Sequence, residues 1–521
     1  MSILRYTASL DNTITNAFKE DLVLRGTGSN MGASDILEVF SIYAQANTSS
    51  VELSRILIQF PLSQATKDRQ SGILPVSGNV TWKLKLCNAP HFNTTPRSYD
   101  LKISAVSASW QEGIGLDMED YTDLTKDIRG SNWLKRSGST DWTKMGGDYH
   151  VNSSSVQSFD SGLENVDIDV SGIVEKWLTG SNSWANYGFG IQFTDSYEGY
   201  FSSSTGLDVT GSGDVTGSNS TSDIGSLHNL NGSQESYYTK KFYGRGTEFF
   251  FKRPVLEAQF NDSKKDDRGN FFISSSLLPA ADNINCIYFY NKFRGRLVDI
   301  AGNSSNVPRL KFYYSSGSVP EGNARGFLNS SNSAVTHLDA TRVSTGIYKA
   351  QVAVTSSIIN NIYPYLIDVW SFGGQEVFTG SVITPKTFRP ETYEDSTNFV
   401  LSMTNLKPEY GKNDLTKLRL YAREKNWSPN IYTVSKTKPE NKLIISGSYK
   451  VIRMIDELTV VDYGTGSTKH TELSYDQNGN YFEFNMDMLE PGYQYGFKFS
   501  IYDDYTQCYL EQPYIFKFRV S

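Results

Sequence analysis

The sequence predicts an all-β protein, and three observations carry that prediction. Apolar and polar residues alternate with period two along most of the chain, the spacing of a strand with one buried face. Aromatic residues make up 13% of the 521 positions, which favours half-buried pleated surfaces, and 42 glycines supply tight turns between them. Helical periodicity is nearly confined to Val170-Ser-Gly-Ile-Val-Glu-Lys-Trp-Leu178, where Ile173, Val174, Trp177 and Leu178 share one face.

The clearest strands are Ile56-Leu-Ile-Gln-Phe60, Val80-Thr-Trp-Lys-Leu-Lys-Leu86, Leu101-Lys-Ile-Ser-Ala-Val106 and Phe189-Gly-Ile-Gln-Phe193. Two polar stretches divide the chain into segments of domain size. Asn261-Asp-Ser-Lys-Lys-Asp-Asp-Arg-Gly-Asn270 follows the strand Pro254–Phe260, and Thr384-Pro-Lys-Thr-Phe-Arg-Pro-Glu-Thr-Tyr-Glu-Asp395 contains two ladder-interrupting prolines. The expected domains are 1–260, 261–386 and 387–521. Within the first, residues 202–236 form a tract rich in Ser, Gly, Thr and Asn, too poor in apolar groups to offset its own ordering entropy.

Charge and cysteine content exclude several classes. A formal net charge of −7 is the wrong sign for a nucleic-acid footprint spread over the whole chain. Lys and Arg form no long runs; Lys264-Lys265 are offset at once by Asp266-Asp267, the pattern of a solvated mixed-sign surface. No stretch approaches a membrane span, so no membrane insertion is expected. Cys87, Cys286 and Cys508 are too sparse for a disulfide scaffold or a zinc site. The start, Met1-Ser-Ile-Leu-Arg-Tyr-Thr-Ala-Ser-Leu-Asp11, lacks a basic run followed by an apolar core, which predicts synthesis in a cytoplasm without a Sec leader.

Three groups of motifs resemble known families. Residues 1–260 present, in order, Asp11-Asn-Thr-Ile14, Leu53-Ser-Arg-Ile-Leu-Ile-Gln-Phe-Pro-Leu62, Val80-Thr-Trp-Lys-Leu-Lys-Leu86 and Ser109-Trp-Gln-Glu112. Trp133, Trp142 with Gly146-Gly-Asp148, Val166-Asp-Ile-Asp-Val, Tyr187-Gly-Phe-Gly-Ile191 and Arg253-Pro-Val-Leu256 follow. This order resembles the DNRLRE-type jelly rolls, which are related to carbohydrate-binding modules. Leu489-Glu-Pro-Gly-Tyr-Gln-Tyr495 resembles the tyrosine corner of fibronectin type III sandwiches, which implies that the Tyr495 hydroxyl bonds back to the backbone. Ser344-Thr-Gly-Ile-Tyr-Lys-Ala-Gln-Val-Ala-Val354 is similar to a strand of immunoglobulin-like domains and makes Tyr348 the corresponding corner.

Catalytic spacing is absent. There is no Gly-x-Ser-x-Gly elbow, His-Glu-x-x-His, Walker loop or Cys-x-x-Cys, and His91, His150, His228, His337 and His470 are scattered. Gly26-Thr-Gly-Ser-Asn-Met-Gly32 misses dinucleotide-loop spacing by one residue and reads as a surface loop between strands. Asp117-Met-Glu-Asp-Tyr-Thr-Asp123 is the densest acidic cluster of the first domain. It reads first as a solvated loop, with a structural calcium held by Asp117, Glu119, Asp120 and Asp123 as the functional alternative. No other cofactor is expected.

Six of the eight tryptophans fall between Trp82 and Trp184. Trp82 and Trp177 lie on apolar faces and read as core. Trp133, Trp142 and Trp184 have polar, loop-like neighbours and are the candidates for stacking on a sugar ring.

A jelly roll followed by two immunoglobulin-like sandwiches, acidic and leaderless, resembles the structural proteins of tailed-bacteriophage virions. That resemblance implies a non-enzymatic neck, baseplate, fibre-adaptor or capsid-surface component located in the virion. Its partners would be other virion proteins and further copies of itself in a symmetric oligomer. A carbohydrate-binding adhesin for host surface glycan is the alternative, and a glycan-cleaving enzyme would additionally need a carboxylate pair facing one cleft.

Overall fold

The computed structural model describes residues 2–19, 22, 25–45, 50–91, 97–116, 130–180, 184–200, 229–235, 237–279, 281–300, 307–358, 364–388, 399–425, 428, 431, 441–503 and 506–521. Almost all of the 202–236 tract, the 117–123 acidic cluster and the later part of the 384–395 stretch lie outside the described residues. The protein is all-β: among the described residues 35 strands accompany only two short α-helices. The chain divides into two compact units, Ile3–Lys67 with Ser77–Gln259, and Phe260–Ser521 with Asp68–Val76 and Ser2.

In the first of these units, two antiparallel sheets share the strands apart from the short ribbon Lys135–Ser137 with Thr140–Asp141. Ile3–Thr7, Val255–Gln259, Thr81–Leu86 and Val166–Asp169 form a four-stranded sheet in that order. The larger sheet runs Tyr237–Tyr243, Ile36–Tyr43, Val51–Gln59, Phe189–Phe193, Tyr99–Val106, Tyr149–Phe159, with Leu10–Thr15 also paired to Val51–Gln59. The chain leaves the larger sheet for the smaller one at Thr81–Leu86, Val166–Asp169 and Val255–Gln259. Thr81–Leu86 shows the expected alternation, with Trp82, Leu84 and Leu86 buried and the residues between them half-exposed.

The amphipathic stretch forms the helix Ser171–Thr179, which buries Ile173, Val174 and Trp177 and ends at Gly180 in the left-handed conformation. The other helix, Ser63–Gln70, was not legible. Its sequence Ser-Gln-Ala-Thr-Lys-Asp-Arg-Gln has no apolar stripe, and within it only Ala65 and Asp68 are buried.

The second unit holds two further pairs of sheets. In residues 285–383 one sheet is ordered Asn285–Tyr290, Ile347–Ala353, Phe327–Asn329, Ala334–Val335, and the other Glu321–Arg325, Arg309–Ser315, Tyr365–Phe372, Gln375–Ile383. Ile287, Phe289, Tyr348 and Val352 from the first meet Leu310, Phe312, Leu366 and Trp370 from the second in one apolar core, which makes a sandwich. In residues 399–520 a four-stranded sheet containing Leu415–Glu424 and Gly479–Asn485 faces one built on Gln494–Asp503 and Gly447–Arg453. Phe482 of the former contacts Tyr449 and Phe497 of the latter at ring-centroid distances of 4.5 and 5.1 Å.

Residues 261–270 are not the solvated linker that their polarity suggests. Lys265 pairs with Tyr475 in a parallel bridge, and Lys264, Asp266 and Arg268 are buried. The charges tolerate burial because each has a counter-group. Lys264 lies 3.1 Å from Asp262, Lys265 lies 2.9 Å from Glu472, and Asp267 accepts the Tyr475 hydroxyl at 2.7 Å. Arg268 forks between Asp266 at 2.5 Å and Asp368 at 2.6 Å. Asp368 has room on a strand only because Gly380 stands opposite: a Cβ there would sit 2.0 Å from its carboxylate. The start of the second polar stretch is also bonded, Lys386 pairing with Phe272.

Candidate functional site

The motifs that resemble jelly-roll families converge on a buried polar layer beside the larger sheet of the first unit. Asp11, Asn12, Thr13, Thr15 and Asn16 are all buried, and each side chain bonds backbone groups. The Asn12 amide donates to Ser131 and accepts the Met31 N–H, Thr13 accepts the Glu38 N–H, and Asn16 accepts the Leu53 N–H at 2.6 Å. The Gly26–Gly32 segment is buried within this layer and not a surface loop. Asn30 accepts the N–H of Gly115, and a Cβ on Gly113 would lie 1.8 Å from the Asn30 side chain, so only glycine fits.

Three charged clusters complete the layer. Asp11 accepts the Arg245 backbone N–H at 2.6 Å, and burial pushes its pKa up to about 6, against the lowering pull of Arg245. Glu52 accepts the Phe18 N–H, and burial likewise raises its pKa. Arg55 donates to Gly146 and Glu198 at 3.1 and 3.3 Å while lying over the rings of Trp133 and Tyr149. Burial alone would lower the Arg55 pKa, but the Glu198 charge overrides it and holds it above its ordinary value. The same burial pushes Tyr149 up to about 12.

Trp133 and Trp142 are 1% and 5% exposed and pack with Ile14, Leu53, Leu57, Val106, Trp110 and Met145. Neither ring presents a face to a sugar, so the expectation that they stack on one is not met. Polar sequence neighbours gave the wrong signal: those before Trp133, Ser131 and Asn132, are themselves buried, while Trp142 turns inward between exposed Asp141 and Thr143 and donates its indole N–H to the Asn132 carbonyl. Trp184 differs. It is half-exposed, His150 lies flat against it at 3.9 Å, and the Lys176 ammonium sits 4.2 Å from its ring centroid. Partial burial, and then Lys176, lower the His150 pKa.

The Tyr495 hydroxyl donates to the Glu490 carbonyl at 2.8 Å, five residues upstream. The Tyr348 hydroxyl accepts the N–H of Ile300 at 3.0 Å. Asp117, Glu119, Asp120 and Asp123 lie outside the described residues, and so does His228. Among the described residues no three His, Cys, Asp or Glu side chains are grouped to hold a metal, all three cysteines are free, and no helix is long and apolar enough to cross a membrane.

Outside these bonded interiors, the second unit exposes two short turns of opposite charge, which sequence reasoning missed. Lys292–Phe293 pairs with Arg296–Leu297 around Arg294 and Gly295, both at positive φ as a two-residue hairpin turn requires. Residues 292–298 are exposed, Phe293 by 64%. The stretch holds no carboxylate, and Asp299, which follows it, is bonded to Arg342 and the Gly346 N–H. Among the described residues Lys292, Arg294 and Arg296 form no ion pair. The other turn joins Gly447–Arg453 to Thr459–Val461. Ile455 is 76% exposed at its tip, Asp456 and Glu490 converge on Arg453, and Glu457 has no ion-pair partner among the described residues. A separate groove of about 410 Å³, lined by Ser274, Asn283, Leu328, Asn329 and Asn332 among others, holds no charged side chain.

No protein-family profile and no curated protein matches the chain. Solved structures of Escherichia coli α2-macroglobulin align with it weakly. The elastase-activated form matches at 9% identity over 46% of this chain and 20% of that one, with a TM-score of 0.13. The trypsin-activated form matches at 11% over 55% and 19%, with a TM-score of 0.14. The native conformation matches at 7% over 99% and 26%, with a TM-score of 0.15. The chain thus spans a quarter or less of the length of most of these structures, and a likeness at such TM-scores extends to neither fold nor function.

Proposed function

We propose that the chain is a non-enzymatic structural protein of a tailed-bacteriophage virion, joining neighbouring virion proteins at a neck, baseplate, fibre or capsid surface. The observation that supports this reading best is a division between inside and outside. Buried charges such as Arg55, Lys264 and Arg268 have partners inside the fold, whereas Lys292, Arg294, Arg296 and Glu457 form no ion pair among the described residues and stand beside exposed Phe293 and Ile455. Terminal strands add to that surface: Gln375–Ile383 ends its sheet with Val377 and Phe378 exposed, and such an edge accepts a neighbouring strand. Rigid sandwiches carrying such contacts set a fixed spacing between partners.

The test uses particles lacking this protein, incubated with the purified chain and imaged by negative stain. Attachment at one defined position is expected. A chain that ignores the particles overturns the reading.

A host-glycan adhesin is the second reading; half-exposed Trp184 is its candidate contact, and a sugar would have to displace His150 or Lys176 from the ring. Retention on a glycan array that is lost in Trp184→Ala would place that reading first.

A further inference from the structure

We propose that the Lys292–Leu297 ribbon of one copy docks onto the Ile455 turn of a second copy, forming a head-to-tail contact between identical chains; this rests on the assembly reading above. The two turns are complementary in both properties that decide a contact. The ribbon carries Lys292, Arg294 and Arg296 without ion-pair partners among the described residues, around exposed Phe293, Leu297 and Val298. The turn gathers Asp456 and Glu490 around one guanidinium, Arg453, and adds Glu457, which has no ion-pair partner among the described residues, beside exposed Ile455 and Leu458. Opposite charges at the rim steer approach and fix register, and apolar groups at the centre supply the desolvated contact.

Both turns are anchored at the base, so docking requires little ordering. Asn291 and Val298 bond across the foot of the ribbon, and Asp299 ties it to Arg342. The Arg453–Asp456 pair closes the other turn. Because the two surfaces differ, the contact is heterologous: each copy keeps one ribbon and one turn free, and repetition yields a ring or a filament.

Sedimentation velocity on the full chain, between about 1 and 100 µM and from about 0.05 to 0.5 M salt, tests the proposal. Concentration-dependent association that weakens with salt is expected. Lys292→Glu with Arg294→Glu and Arg296→Glu should weaken it by about tenfold or more, and so should Asp456→Lys with Glu457→Lys. An equimolar mixture of the two reversed variants should associate again, because each then presents a surface complementary to the other. Phe293→Ala, which leaves every charge in place, should also weaken association, and circular dichroism checks that each variant is folded.

A wild-type chain that stays monomeric at low salt, association indifferent to both reversals, or a mixture that fails to recover each overturn the proposal. A monomer that still attaches to particles overturns self-docking alone and leaves the assembly reading standing.

Discussion

Each unit buries arginine, and Arg55 of the first and Arg268 of the second are held in different ways. Arg268 uses all three guanidinium nitrogens: Nη1 on Asp266, Nε and Nη2 on Asp368, with the Trp370 indole N–H closing on the same carboxylate at 2.7 Å. Arg55 has a single carboxylate, Glu198, plus one carbonyl and two aromatic faces, and its Nε has no hydrogen-bond partner among the described residues. The first is a closed ionic knot; the second is a cation resting among rings. A buried guanidinium can thus be tolerated either by saturating its donors or by spreading its charge over polarisable surface, and the two solutions should fail differently.

The largest effect expected is at Arg268. Arg268→Ala leaves Asp266 and Asp368 facing each other without a cation, and removing one side of a buried ion network costs about 3–5 kcal/mol. Arg268→Lys should recover little, because an ammonium cannot reach both carboxylates with a planar fork. Glu198→Ala strands Arg55 but leaves it the Gly146 carbonyl and the rings of Trp133 and Tyr149, so a loss of about 2–3 kcal/mol is expected. Differential scanning calorimetry checks both, each substitution shifting the transition of its own unit. Equal losses at the two sites would show that the aromatic faces contribute nothing to holding the charge.

How much of this was legible follows from where the partners lie in sequence. Period-two patterning placed the strands, because alternation is local; Thr81–Leu86 and Phe189–Phe193 stand within a residue or so of their expected bounds. The one helix with an apolar stripe was equally plain. The Arg268 knot was not, since Asp368 lies one hundred residues away and a polar run looks the same whether its partners are water or protein. Trp133 was misjudged for the same reason, and Trp142 because exposed flanking residues do not show that its ring turns inward. The ribbon could have been found: Lys-Phe-Arg-Gly-Arg-Leu holds three cations, one aromatic and a glycine turn in six residues, in a chain of net charge −7.

Asp11 gives the comparison a pH axis. Its carboxyl titrates near 6 in the fold against the ordinary 3.8, because burial outweighs the attraction of Arg245. Between those values the folded protein holds a proton that the unfolded chain has released, so stability falls as pH rises through the window and levels off above it. Asp11→Asn keeps the acceptor for the Arg245 N–H and removes the titration. The stability of wild type relative to Asp11→Asn should fall by on the order of 2–3 kcal/mol from pH 4 to pH 6. Urea midpoints across that range check it, and a flat difference would mean that Asp11 stays ionised inside the fold.

The smallest effect separates the two buried tyrosine hydroxyls. Tyr495 donates to the Glu490 carbonyl, and a carbonyl oxygen that loses one donor retains a second lone pair for other bonds. Tyr348 accepts from the Ile300 N–H, a single donor hydrogen that loses this partner once the hydroxyl is gone. Both rings sit in apolar cores, so substitution by Phe preserves their packing and reads the hydroxyl alone. Tyr495→Phe should cost about 0.5–1 kcal/mol and Tyr348→Phe about 1–1.5 kcal/mol, the larger value falling on the orphaned donor. Urea denaturation of the two variants side by side resolves the order. The reverse order would mean that the Ile300 N–H finds water when its tyrosine partner is removed, and that the corner at Tyr495 ties down more of its sandwich than one hydrogen bond.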